Sequence, residues 1–218
     1  MQRIKYQSSD TALNEQIIAL LCECFGTQFR DYYLLQLAHL PTPQHTKLLT
    51  DERKQLISFT QVVDYTLRTT PHEPPYKVAY LYSVCTTKRE QGKGIMTHFL
   101  NEILSELKQD GYAATFLMPA ETWLVDFYNK FGFVWQKGGI YEKVPRDTLP
   151  LIAPEQSAKD YLQAVAQYEK RGEGQQMYEQ RKQIPWVPLM PPPLGWMLRS
   201  LQMTVALPEE ISLLQPLT

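Results

Sequence analysis

The residues best suited to chemistry in this sequence form a short glycine-bearing loop. It contains Arg89, Gln91, Gly92, Lys93 and Gly94, and it joins a segment typical of a strand to one typical of a helix. The first amides of a helix have no partner inside the helix, and the helix dipole favours an anion at that end. Glycine lets the backbone approach a phosphate closely. The loop therefore predicts a site for a phosphate group.

The spacing of the glycines distinguishes this loop from two common nucleotide-binding sequences. Gly94, rather than serine or threonine, follows Lys93, and the first glycine of a P-loop is missing. The three-glycine dinucleotide fingerprint is missing as well. An ordinary strand-to-helix turn also fits a Gly-x-Gly sequence, so the neighbouring elements must decide between the two interpretations.

Hydrophobic periodicity predicts an α/β chain around the loop. Helices are predicted at residues 11–25, 29–40, 95–108 and 121–130, and strands at residues 46–51, 55–68, 76–86, 112–118 and 133–137. From residue 76 the order is strand, loop, helix, strand, helix, strand. This order predicts a sheet with at least one parallel pair and a ligand site at the ends of its strands.

Prolines are concentrated in the last third of the chain, where ten of the sixteen occur after residue 144. The pattern there predicts a helix starting near Ser157, a polar helical stretch at 175–183, extended backbone at 184–193 and a last strand at about 195–203. This part is too short to bury its own core. We therefore expect residues 1–218 to form one domain, with an insertion at about 145–193.

Two segments resemble the GNAT superfamily of acyl-CoA N-acyltransferases. Arg89, Gly92 and Gly94 match the family's Arg/Gln-x-x-Gly-x-Gly/Ala signature, and residues 127–133, which include Tyr128, match its helix-to-strand signature. The resemblance covers residues 1 to about 143 and the predicted strand at about 195–203. It implies a mixed, mostly antiparallel sheet of about six or seven strands. It also implies a splayed parallel pair and flanking helices, while the helical, proline-rich insertion would precede the last strand.

The resemblance also implies how acetyl-CoA would bind. A bulge would separate the strand at 76–86 from its neighbour, so that the backbone of Val84 and Thr86 could pair with the pantetheine arm. Arg89 and Lys93 would supply positive charge near the pyrophosphate. Backbone amides would cradle it along the loop and at the first helical residue, namely those of Gln91, Gly92, Lys93, Gly94 and Ile95.

By the same resemblance, Tyr128 would be the general acid. A phenol with a pKa of about 10 is protonated at neutral pH and can donate to a departing thiolate, whose thiol has a pKa of about 8.5. Without the signature, Tyr128 would instead be interpreted as a helix tyrosine packed on the sheet. The implied reaction is transfer of an acetyl group from acetyl-CoA to a primary amine by direct attack in a ternary complex. Alternatives are the same fold with another acyl-CoA, or a noncatalytic acyl-CoA-binding or regulatory module.

The sequence does not identify a general base. An alkyl amine with a pKa of about 10.4 must lose a proton before it attacks, at a cost of about 4 to 5 kcal/mol at pH 7. Some relatives carry a carboxylate on the strand before the loop, where this chain has Tyr80 and Tyr82. Four residues are candidates, although each could be a solvated surface residue: Asp64, His72, Glu73 and Glu121. Many relatives have an asparagine in place of Glu121.

Composition limits the partners. The net charge is -1 and no lysine/arginine block is longer than a pair, so we expect no nucleic acid. We expect no membrane span, no signal peptide and a cytoplasmic location, because no apolar run reaches about 18 residues. The cysteines and histidines lack metal-ligand spacing, which predicts no metal. The expected acceptor is a small-molecule or peptide amine, and the last strand or the insertion could pair two subunits.

Overall fold

A computed structural model of the protein describes residues 1–136, 140–141, 148–171, 196–202 and 207–214. The helices in these residues are α1 (Thr11–Phe25), α2 (Arg30–His39), α3 (Ile95–Gln109), α4 (Thr122–Asn129) and α5 (Gln156–Lys170). The strands are β1 (Gln2–Lys5), β2 (Thr46–Thr50), β3 (Leu56–Arg68), β4 (Tyr76–Thr86), β5 (Ala114–Leu117), β6 (Val134–Trp135), β7 (Ile140–Tyr141), β8 (Leu151–Pro154), β9 (Met197–Ser200) and β10 (Ser212–Leu214). None of the described helices is long and apolar enough to cross a membrane.

Helices α1 and α3 form where the sequence predicts them, because capping residues and apolar spacing indicate the same helix bounds. α1 spans the predicted residues, and the Asp10 carboxylate accepts a hydrogen bond from the Leu13 amide at 2.9 Å, which satisfies one of the free amides of the first turn. α3 buries Ile95, Phe99 and Ile103 at helical spacing. The sequence therefore predicts these two helices to within one residue at each end.

The strands form one mixed, mostly antiparallel sheet with β3 near its centre. The order across the sheet is β6-β9-β5-β4-β3-β8-β10-β7, and β2 and β1 lie beside the first half of β3. β4 and β5 are parallel, with Val78 opposite Ala114 and Tyr80 opposite Phe116. β4 continues to Thr86 while β5 ends at Leu117. The two strands therefore separate beyond Tyr80, which confirms the predicted splayed pair.

Helices cover both faces of this sheet. α3 and α4 pack on one face, where Phe99, Ile103 and Tyr128 share a core with Leu81 of β4. α1, α2 and α5 cover the other face in two neighbouring clusters. The splayed ends of β4 and β5 thus lie between two helical layers.

The structure corrects the predicted strands of the C-terminal third. The sheet has ten strands among the described residues rather than six or seven. β8 lies inside the predicted insertion, and it pairs with Tyr65 to Arg68 of β3. The edge of β3 next to β8 lies beyond the end of β2, and its free backbone groups need partners. Pro150, which precedes the strand, and Pro154, its last residue, concealed this strand in the sequence.

The predicted last strand exists as β9, but it is not the last strand. β10 follows it and pairs in parallel with β8 and β7. α5 starts one residue before the predicted Ser157. The predicted polar helix at 175–183 and the extended segment at 184–193 lie outside the described residues.

Candidate active site

A β-bulge distorts β4 where it separates from β5. Phe59 of β3 lies opposite Cys85, but Gln61 lies opposite Tyr82, so β4 has one extra residue in this interval. Ser83 lies in the bulge with a φ of 56°, in the left-handed region that non-glycine residues seldom adopt. Strain of this kind persists where the surrounding structure enforces it, and it is concentrated at functional sites. The bulge therefore marks the splayed end of β4 as a candidate site.

Val84 and Thr86 lie on either side of Cys85 at this end of β4. Val84 is half-buried against the core under α3. The Thr86 carbonyl accepts a hydrogen bond from the Gln91 Nε2 at 2.9 Å and a weaker one from the Cys24 Sγ at 3.4 Å. Gln91 therefore connects the loop to the strand through its side chain, in addition to the backbone role expected for it.

The loop after β4 has the backbone that an anion site needs. Gly92 and Gly94 both have a φ of 76°, and a side-chain carbon added to either would meet nothing within 4 Å. Gly94 is the N-cap of α3, and no side chain caps the helix there. The first intrahelical bond runs from the His98 amide to the Gly94 carbonyl at 3.1 Å, so the earlier amides of α3, starting at Ile95, are not used within the helix. These amides face an open surface.

The two cations of the loop are exposed and paired only at the surface. Arg89 Nη2 lies 3.4 Å from the Asp51 carboxylate, and Lys93 Nζ lies 3.0 Å from the Glu90 carboxylate. Their side chains are 60% and 58% exposed. Such pairs contribute little free energy, so both cations can turn to a bound anion at low cost.

Tyr128 reaches the splayed strands from α4. The residue is 5% exposed, and its ring packs edge-on against Phe127 and Phe133. Burial raises the pKa of Tyr128 above its usual value of 10.0, and the nearby Cys85 thiol raises it further. Tyr128 packs in the same core as Leu81 of β4, and Val84 packs against that core, so Tyr128 lies beside the part of β4 that leaves β5. Its phenol makes no hydrogen bond to another described residue.

Two of the four candidate bases lie far from this position. His72 and Glu73 are exposed in the turn before β4, where Thr70 Oγ1 donates to the Glu73 carboxylate at 3.2 Å. β4 has 11 residues, and at about 3.3 Å per residue its two ends are roughly 30 Å apart. Neither residue can therefore contact a ligand at the splayed end of this structure.

Asp64 belongs to a separate polar cluster. It lies opposite Ala79, where β4 still pairs with β5. Its carboxylate accepts a 2.5 Å hydrogen bond from the Tyr112 hydroxyl and lies 3.2 Å from the His45 Nε2. Burial alone would raise the pKa of Asp64, but the hydrogen bonds from His45 and Tyr112 outweigh burial and lower that pKa below its usual 3.8. The carboxylate therefore stabilises the folded chain.

We expect Asp64→Asn to lower stability by about 1 to 2 kcal/mol while kcat changes less than about twofold. A lowered pKa contributes stability above the unfolded value of 3.8, and this contribution is lost as the pH falls through the folded pKa. The stability difference between the two proteins should therefore shrink below about pH 4. Urea unfolding at several pH values measures it. A large loss of kcat with unchanged stability would instead make Asp64 a catalytic base.

Glu121 is the one of the four candidates that follows β5 at the splayed end. It precedes α4 and is exposed, and its carboxylate accepts a hydrogen bond from the indole of Trp123, a residue that is itself 62% exposed.

Among the described residues no group of histidine, cysteine and acidic side chains could hold a metal ion.

Sequence reasoning did not identify Gln36, a polar residue beside the bulge. Gln36 of α2 is 1% exposed and accepts a hydrogen bond from Ser83 Oγ at 3.3 Å. The polar residue at an otherwise apolar position of a helix was the available signal. Tyr32 and Tyr33 precede it on α2, and their hydroxyls donate to Glu169 and to the Gly26 carbonyl.

A bulged strand, a splayed parallel pair and an uncapped glycine loop together define the cofactor half of an acyl-CoA N-acyltransferase fold. Residues 5–136 match the family model described as an acetyltransferase (GNAT) domain. This match covers more than half of the chain, which therefore belongs to the GNAT acetyltransferase family. A search of curated proteins found no match.

Two solved GCN5-related N-acetyltransferases share the fold of the matched region. The GCN5-related N-acetyltransferase from Kribbella flavida is 13% identical with a TM-score of 0.51, over 63% of this chain and 34% of that chain. The one from Anabaena variabilis ATCC 29413 is 14% identical with a TM-score of 0.51, over 63% and 32%. A probable N-acyltransferase from Enterococcus faecalis V583 is 18% identical with a TM-score of 0.46, over 61% and 32%. The matched region is thus about a third of each solved chain.

Proposed function

We propose that the protein transfers an acetyl group from acetyl-CoA to a primary amine by direct attack in a ternary complex. The observation that supports this most strongly is the position of Tyr128. Its buried phenol packs in the same core as Leu81 of β4, and Val84 at the splayed end of the strand packs against that core. The same strand leads directly into the glycine loop.

The residues present fit an acyl-CoA. The open surface at Gly92 and Gly94 leaves room for a pyrophosphate against the free amides of α3. Arg89 and Lys93 would add charge to that site, and Gln91 would hold the loop to Thr86. The pantetheine arm would lie along the free edge of β4 at Val84, as an added strand does. The Thr86 carbonyl is already bonded to Gln91, so Val84 has the larger part in this pairing.

Tyr128 would act on the leaving group. An acyl-CoA supplies an acyl thioester, which an amine can attack directly. Tyr128 would hold its proton on Oη until the carbon–sulfur bond breaks and would then donate it to the sulfur. Because burial raises the pKa of Tyr128, the phenol stays protonated throughout the neutral range.

The experiment that tests this function measures binding and turnover separately. We expect acetyl-CoA to raise the melting temperature, and we expect free CoA thiol to appear when a panel of primary amines is added. The rate should rise with pH toward the pKa of the amine, because only the neutral amine attacks. Stabilisation by acetyl-CoA without turnover would favour a noncatalytic binding module. Faster turnover with longer acyl-CoA thioesters would show that the acyl donor is one of these rather than acetyl-CoA.

A further inference from the structure

Cys24 and Cys85 are two free thiols that meet at the splayed end of β4. Cys24 belongs to the last turn of α1, and Cys85 lies on β4 between Val84 and Thr86. Cys85 is part of the core beneath α1 and α2, and Cys24 packs against that core. The Cys24 Sγ donates to the Thr86 carbonyl at 3.4 Å, and the two thiols also hydrogen-bond to each other. Two sulfurs from distant parts of the chain are therefore in contact.

The two thiols differ in how readily a reagent attacks them. Cys85 is 6% exposed, whereas Cys24 is partly exposed. The hydrogen bond with Cys85 lowers the pKa of Cys24 below its usual value. Nearby Lys88 also lowers this pKa, while burial and the Glu23 carboxylate oppose the change. Since the thiolate is the nucleophile, Cys24 is the thiol that reacts first.

We propose that Cys24 and Cys85 are a modification site that a peroxide oxidises to an internal disulfide. The Cys24 thiolate attacks one oxygen of hydrogen peroxide, and the oxygen–oxygen bond breaks. The departing hydroxide takes up the proton that the thiol had released, and Cys24 becomes a sulfenic acid. The Cys85 sulfur then displaces the hydroxyl group of the sulfenic acid, which leaves as water with the proton of Cys85. One peroxide is thus reduced to two waters while two thiols are oxidised to one disulfide.

The disulfide would alter the strand that the proposed function assigns to the pantetheine arm. A disulfide holds its sulfurs about 2.05 Å apart, closer than any hydrogen-bonded pair, so its formation draws Cys85 toward α1. It also removes the S–H that Cys24 donates to the Thr86 carbonyl. Val84 and Thr86 flank Cys85, so their backbone groups move with it. Oxidation should therefore weaken acetyl-CoA binding, and this consequence, unlike the disulfide itself, rests on the proposed function.

Mass spectrometry of the full-length protein after treatment with a small excess of hydrogen peroxide tests the site. We expect the intact monomer to lose the mass of two hydrogens, and peptide mapping without reductant should join Cys24 to Cys85. Dithiothreitol should reverse the change. Cys24→Ser should form no disulfide. Cys85→Ala should instead leave oxygen on Cys24, because the sulfenic acid has no thiol beside it.

Cys22→Ser is the matched control for these variants. Cys22 is also a partly exposed cysteine of α1, but residues two apart on a helix do not face the same side. This variant should form the disulfide as the unchanged protein does. Thiols that survive the peroxide, a disulfide that includes Cys22, or the same disulfide yield in Cys24→Ser would overturn the proposal.

Calorimetric titration with acetyl-CoA measures the consequence for the cofactor. We expect the oxidised protein to bind acetyl-CoA about tenfold more weakly than the reduced protein, and dithiothreitol should restore the affinity. Cys24→Ser should bind equally before and after peroxide. Equal affinity of the oxidised and reduced proteins would overturn the effect on the cofactor strand. Absence of binding to the reduced protein would count against the proposed function instead, because the disulfide is measured without acetyl-CoA.

Discussion

Tyr128→Phe is expected to lower kcat at least 100-fold while the affinity for acetyl-CoA stays within about twofold. The variant loses the proton donor for the leaving sulfur, and general acid catalysis commonly contributes a factor of about 100 to 10,000. The variant should be about as stable as the original protein, because the Tyr128 hydroxyl makes no hydrogen bond to another described residue. Single-turnover thiol release and calorimetric titration with acetyl-CoA measure the two effects separately.

Tyr6→Phe is the matched control for this experiment. Tyr6 is 2% exposed, and its hydroxyl donates to the Asn14 side chain at 3.0 Å, in the core beneath α1 and α2 rather than the core that holds Tyr128. This variant should lose about 1 kcal/mol of stability and keep its kcat. Full activity of Tyr128→Phe, or equal losses in both variants, would contradict the role assigned to Tyr128.

The second large effect is expected at the N-cap of α3. Gly94→Val should weaken acetyl-CoA binding roughly 30-fold or more, which corresponds to about 2 kcal/mol. A branched side chain disfavours the φ of 76° that directs the first amides of α3, and it projects into the open space needed by the pyrophosphate. The dissociation constant of acetyl-CoA, measured by calorimetry, gives the effect.

Gly111→Val is the control that separates the effect of backbone strain from the effect of losing the phosphate site. Gly111 follows the other end of α3 with a φ of 81°, and it too has nothing within 4 Å of an added carbon. The two variants should lose similar stability, but only Gly94→Val should lose acetyl-CoA affinity. Equal affinity in both variants would move the phosphate site away from the loop.

The helices and turns that depend on short-range patterns could be predicted from the sequence. Asp10 and the apolar spacing of α1 predict that helix, and the glycines predict the turn into α3, because caps and periodicity act over a few residues. Family resemblance then identified Tyr128, and the structure places it at the splayed strands. The roles assigned to Tyr128 and to the loop residues remain predictions.

The remaining features depend on contacts between distant segments. β8 forms because the exposed edge of β3 needs partners, and prolines at both of its ends made it resemble a loop. The positive φ of Ser83 results from the register of β3 against β4, which no local pattern indicates. Gln36 is informative only once α2 is known to cover the bulge. The length of β4 likewise separates Glu73 from the site, although Glu73 lies in the turn that joins β3 to β4.

The structure of the protein with CoA bound would show whether the cofactor occupies the glycine loop and the splayed end of β4. We expect the pyrophosphate against the amides at Gly92 to Ile95 and the pantetheine along β4 at Val84. We also expect the CoA sulfur within roughly 3.5 Å of the Tyr128 hydroxyl oxygen, the distance of a weak hydrogen bond. CoA bound at another surface, or with its sulfur beyond the reach of Tyr128, would contradict the account.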